Sequence, residues 1–195
     1  MIKRITIVVA ILATAWQLNA EIIDRIMAVV NGRIVTLSDL RMERRIRVVL
    51  GGDQVNDDKA LARDLVDRIL FEEQVAQFPG ILVDDSEVEG ELNKVDNLRG
   101  IPPDTLREAI RRRLTLNQFF DLRFRQLLRP TDDEVRHYYE TVFLPEAGRL
   151  GLNPIPTLDQ VREPVRNNVV EEKMQGAIDA WLKTLRERSD IEVFQ

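Results

Sequence analysis

A mainly α-helical protein closed by a small antiparallel β-sheet is predicted by three features of this 195-residue chain. An alternating apolar segment ends in Asn31-Gly32 and is followed by a short return strand. Successive apolar stripes at helical spacing then run between glycine and proline stops, and the segment at 190–194 alternates again.

Residues 1–20 are expected to lie outside this fold. Met1-Ile2-Lys3-Arg4 is a short basic start, Ile5 to Trp16 is largely apolar, and Ala20 offers a small residue for cleavage, the pattern of a secretory signal peptide. The apolar run falls short of the ~20 residues that a membrane span needs. Without Lys3 and Arg4, the 28 basic side chains become 26 against 33 acidic ones, a net charge of −7. That balance argues against nucleic acid as the main partner. The chain has no cysteine, so disulfides and thiol chemistry are excluded.

In the alternating segment, Ile22, Asp24, Ile26, Ala28 and Val30 are expected on one side of a strand and Ile23, Arg25, Met27 and Val29 on the other. Asn31-Gly32 tolerates the positive φ of a two-residue hairpin turn, which brings 33–35 back antiparallel. A lone hairpin is marginal in water and needs cover. Thr36 caps the next helix, which stops at Gly51-Gly52. Its arginines 41, 44, 45 and 47 read as a solvated face interrupted by Glu43.

A second helix is expected over 58–78, with Leu61, Leu65, Val66, Ile69 and Leu70 as its apolar stripe. A third opens at Asp84 and runs to about Arg99, with Val88, Leu92, Val95 and Leu98 as its edge. A fourth spans about 104–128 and carries Arg107, Arg111, Arg112, Arg113, Arg123, Arg125 and Arg129. These arginines either form a phosphate-binding surface or pair with the acidic second and third helices, and pairing is the reading that the overall acidity favours. The capping box Thr131–Glu134 starts a short helix with Val135, Tyr138 and Tyr139. Residues 143–156 lose periodicity and read as a loop. A long helix follows over 157–188, in which Pro164 makes a kink or marks the first turn. The strand-like tail is the candidate partner of the hairpin.

No catalytic constellation is found. His137 is the single histidine and is expected on the surface, so a zinc site and histidine-dependent triads are absent. The paired acids at 57–58, 84–85 and 132–133 stand at helix starts, where acid is favoured, and none has the spacing of a calcium loop. No cofactor or metal is expected.

The order of these segments carries a resemblance. IMAVVNGRIVTLSDL resembles the opening of SurA-type periplasmic chaperones and their parvulin-type prolyl isomerase relatives. LARDLVDRILFEEQVAQFPGILVDDSEVEGEL is similar to the second and third helices of their N-terminal domain. LREAIRRRLTLNQFFDLRFRQLLRPTDDEVRHYYE is similar to the fourth and the short helix after it, and LDQVREPVRNNVVEEKMQGAIDAWLKTLRERSDIEVF to the returning helix and strand. The resemblance implies one domain over 21–195, closed by residues 157–195. Relatives insert parvulin domains between the short and returning helices, whereas 141–156 is too short for a domain. It also implies a shorter passage at 99–105 than in many relatives. The expectation is therefore a non-enzymatic periplasmic chaperone for unfolded outer-membrane or other exported polypeptides. Phe143, Leu144, Leu150, Leu152 and Ile155 are its candidates for client contact, or else seal the returning helix onto the core. The alternative is a homodimeric structural or adaptor protein of the envelope; a prolyl isomerase relative without its own catalytic domain is a further reading.

Overall fold

The computed structural model describes residues 24–78 and 80–194. The expected signal segment lies outside the described residues. Strand β1 (Ile26–Val30) pairs antiparallel with β2 (Arg33–Thr36) on one side and with β3 (Ile191–Val193) on the other, giving the order β2-β1-β3. Asn31 and Gly32 take φ of 48° and 81°, as the hairpin turn requires. The expected alternation fails at one point. The β1–β2 register shifts between Ile26 and Ala28, so Met27 and Ala28 are both buried and Ile26 is turned to solvent. Such a bulge spoils simple period-two reading of the strand.

Thr36 closes β2 and caps α1 (Leu37–Leu50): its hydroxyl accepts from the Asp39 N–H, and its own N–H donates to Asp39 Oδ2 at 2.8 Å. Gly51, at φ 71°, ends the helix. Helix α2 (Asp58–Val75) lays Leu61, Leu65, Val66, Ile69 and Leu70 against β1. Met27, Ala28, Val30, Val35 and Leu40 complete this core, together with Leu185 from the last helix. A second core lies farther along α1. There Ile46 meets Val88 of α3 (Asp85–Leu92) and Leu106, Ala109 and Ile110 of α4 (Pro103–Arg123). Helix α1 thus joins both cores through Leu40 and Ile46.

Two helices end earlier than their apolar patterns suggest. Helix α3 stops at Leu92, and the chain passes through turns in which Arg99 and Gly100 have positive φ. Val95 and Leu98 still pack on the second core from this irregular segment, which is why their spacing imitates another helical turn. Helix α4 gives way after Arg123 to a 3₁₀ turn (Arg125–Leu127), which leaves Leu127 exposed. Helix α5 (Asp132–Tyr138) starts at the Thr131 capping box, and His137 on it is exposed, as expected.

The segment expected to be a loop over 143–156 is partly helical. A π-turn (Tyr139–Phe143) leads into α6 (Leu144–Arg149), where Pro145 occupies the first turn and Ala147 is buried. Proline breaks a helix interior but suits a helix start, so its presence misleads here. Helix α7 (Leu158–Glu187) is kinked at Val161 (φ −118°, ψ 15°), and Pro164 sits just past the kink in the first turn of the long straight portion. Both expectations for Pro164 therefore describe the same local geometry. Helix α7 returns the chain to β3, where Asn31 N–H donates to Asp190 O and Phe194 N–H to Met27 O, each at 2.9 Å.

Candidate functional site

The helices α1, α2 and α4 and the strand β2 do not close against each other completely. Between them lies a cleft of about 550 Å³. Its apolar lining includes Ile34, Met42, Ile46, Leu65 and Ile69, and its polar lining includes Arg33, Glu43, Arg68, Glu72, Glu108 and Arg112. Two further hollows of about 420 and 290 Å³ adjoin it, and Arg112 lines all three. An apolar surface with a few fixed polar groups is the usual make-up of a binding cleft.

A charged network lines the cleft and ties its helices together. Glu43 is only 8% exposed and is the one buried charged residue among the described residues. Arg47, four positions on along α1, donates to it from Nε at 3.1 Å, and Arg68 of α2 donates from Nη1 at 2.5 Å. Arg47 also reaches Asp64 at 3.0 Å, and Arg44 pairs with Asp58. The basic face of α1 is thus not simply solvated: Arg44 and Arg47 tie α1 to α2. On the far side Glu72 lies 3.5 Å from Arg68, 3.4 Å from Arg112 and 3.6 Å from Arg33. Arg68 Nε and Glu72 Oε1 are buried and lack a hydrogen bond among the described residues. Burial pushes the Glu43 carboxyl up, but Arg68 and Arg47 outweigh it and hold the group below its ordinary value. Burial, and next the Arg68 charge, lower the Arg112 guanidinium from its ordinary value.

Three of the remaining arginines of α4 are paired rather than arranged for phosphate. Arg107 meets Glu89 at 2.5 Å, Arg111 meets Asp85 at 2.9 Å and Arg113 meets Glu91 at 2.9 Å, which fastens α4 to α3. Arg123 instead lies over the Trp181 ring at 4.4 Å, within a cluster of Phe71, Phe119, Phe120 and Phe124 that joins α2, α4 and α7.

The residues expected to contact a client lie elsewhere. Phe143 belongs to the π-turn and stacks on Tyr139 at 5.3 Å, and Leu144 opens α6; both are half-buried. Leu150, Leu152 and Ile155 are 67%, 45% and 40% exposed in the irregular segment after α6. Its far end is anchored where the Tyr139 hydroxyl donates to Pro156 O at 2.8 Å. These five residues form no part of the cleft lining. Sequence reasoning missed the cleft, whose one local signal is the i, i+4 pairing of Glu43 with Arg47.

No helix among the described residues is long and apolar enough to cross a membrane, and no group of acidic and histidine side chains among them could hold a metal. No protein-family model matches the chain. Among known proteins it is similar to the Chaperone SurA of Methylococcus capsulatus, 29% identical over an alignment of 147 residues that covers 64% of this chain. That alignment takes in 32% of the relative, so the chain spans about a third of its length. The similarity is thus distant and partial, and it is to a chaperone.

Proposed function

We propose that this chain is a non-catalytic periplasmic chaperone module, folded as one domain over 21–195, that holds unfolded outer-membrane or other exported polypeptides. The observation that carries the reading is the cleft: a hollow of about 550 Å³ lined by both apolar and charged side chains, with further hollows beside it, in a chain similar to a chaperone. A mixed lining of this kind suits a polypeptide, which offers both apolar side chains and polar backbone groups. Leu150, Leu152 and Ile155 offer a second, shallower contact surface. The acidic surface keeps loaded complexes apart by repulsion.

The test is suppression of aggregation. The exported chain, in stoichiometric excess over an unfolded outer-membrane barrel protein, is expected to delay turbidity strongly; no delay refutes the reading. Photo-crosslinkers at Met42 and at Leu152 are expected to capture client at the first position more than at the second. A protease-coupled proline-peptide assay is expected to show no rate above background. A homodimer or a single stoichiometric partner recovered from periplasm, in place of a mixed set of unfolded chains, would favour the adaptor reading.

A further inference from the structure

Strand β2 is an edge of the sheet, and it is also a wall of the cleft: Arg33, Ile34 and Val35 all line it. In a hairpin closed by a two-residue turn, the residues flanking the turn exchange hydrogen bonds and the next pair does not. Val30 and Arg33 flank the turn and Val29 faces Ile34, so the N–H and C=O of Ile34 point away from β1. The next outward N–H, that of Thr36, is already taken by Asp39. Among the described residues no hydrogen bond outside the sheet engages Ile34, which is 57% exposed. Edge strands are usually blunted by proline, an inward charge or a covering element. β2 is short, starts with Arg33 and ends beside the bulge, so its edge is blunted except at Ile34, where it has no proline and faces the cleft.

We propose that β2 takes an extended polypeptide by strand addition, deepening the chaperone reading on which it rests. The guest is a strand with alternating apolar residues and basic ends. One guest residue exchanges both backbone hydrogen bonds with Ile34, and its apolar side chain lies beside that of Ile34. Of the five carboxylates that line the cleft, Glu43, Glu72 and Asp104 are already met by arginines and Asp39 caps α1, which leaves Glu108 to receive a basic guest residue. Glu108, in no ion pair among the described residues, stands across the cleft from the strand. Recognition through backbone groups at one residue makes the site tolerant of sequence, as a holder of varied clients requires.

The experiment uses the exported chain and three octapeptides of alternating valine and threonine with an added lysine at each end: one unmodified, one N-methylated on its valine amides, one on its threonine amides. Binding by calorimetry and amide exchange by NMR are followed together. The unmodified peptide is expected to slow exchange of the Ile34 amide at least tenfold, leaving the outward amides of Ile191 and Val193 on the other sheet edge unchanged. Methylation of the valine amides is expected to weaken binding at least tenfold, because the valine amide is the one that faces Ile34 O; methylation of the threonine amides is expected to leave it nearly intact. Ile34→Pro, which removes an outward N–H and spares the ladder, is expected to weaken the unmodified peptide about as much. Equal binding of both methylated peptides, or binding without protection of Ile34, overturns strand addition while leaving the cleft as the client site. Protection of Ile34 that rises with protein concentration alone also overturns it, since a second copy would then occupy the edge. If no peptide binds and clients still aggregate, the chaperone reading falls as well.

Discussion

Replacing Glu43 by glutamine tests the central physical claim, that a buried carboxylate clamps α1 to α2 at the cleft floor. Glutamine keeps the shape and one acceptor oxygen but removes the charge that Arg47 and Arg68 share. A hydrogen bond to a charged group contributes ~1.5–3 kcal/mol, and breaking a buried pair costs ~3–5 kcal/mol. The full loss is not expected, because Arg47 retains Asp64 at 3.0 Å and Arg68 retains Glu72 at 3.5 Å. The expected destabilisation for Glu43→Gln is therefore about 2–3 kcal/mol at pH 7, or roughly 5–10 °C in Tm for a domain of this size. Urea unfolding followed by far-UV circular dichroism measures it, with an unchanged urea dependence as the check that the same transition is observed. The pH dependence has a fixed sign. The folded-state carboxyl titrates below its unfolded value, so its contribution is complete above the unfolded pKa and is lost as pH falls through the folded one. The stability gap between wild type and Glu43→Gln should thus be widest near neutrality and narrow in acid. A gap under about 0.5 kcal/mol at pH 7, or one that does not narrow in acid, would refute the clamp.

Leu40→Ala, at a fully buried position in the sheet-side core, is expected to cost about 2–5 kcal/mol in the same assay. Tyr139→Phe removes the bond to Pro156 O and should cost about 1 kcal/mol; amide exchange of residues 150–156 should quicken, with the two cores unaffected. Deleting residues 157–195 removes Trp181, Leu185 and β3 together and should abolish the cooperative thermal transition. Arg107→Ala breaks solvent-screened pairs to Glu89 and Asp104 and is expected to leave the urea midpoint almost unchanged, with any difference shrinking at high salt.

What the sequence made legible is what local chemistry decides. Asn31-Gly32 dictates its turn, Thr36 and Thr131 their helix starts, Gly51 its helix stop, and the apolar spacing of α2 the face it buries. The tail as third strand was also readable, since Ile191 and Val193 alternate and the hairpin lacked cover. Errors arose where a neighbour in space overrides the local pattern. Val95 and Leu98 are apolar at helical spacing because a core needs them, not because a helix continues. Pro145 looks like a breaker until its place in the first turn of α6 is known. Glu43 looks like an interruption in a basic stripe until Arg68, on another helix, is seen to face it. The cleft was the least legible feature, because it depends on how three helices diverge and on no residue type in particular.

The position of β1 between β2 and β3 bears on how the molecule comes into being. β1 and β2 are made within a few residues of each other, but β3 follows about 160 residues later. A chain threaded out of a synthesis or export machine presents its earliest strand first and must leave one side of it unpaired while every helix is laid down. Pairings of such long sequence separation are slow to form and expose strand edges meanwhile. Until residues 191–193 arrive, both long margins of the hairpin are open to stray strands. β3 thus seals one margin long after the hairpin has formed, and among the described residues the margin along β2 has no partner strand.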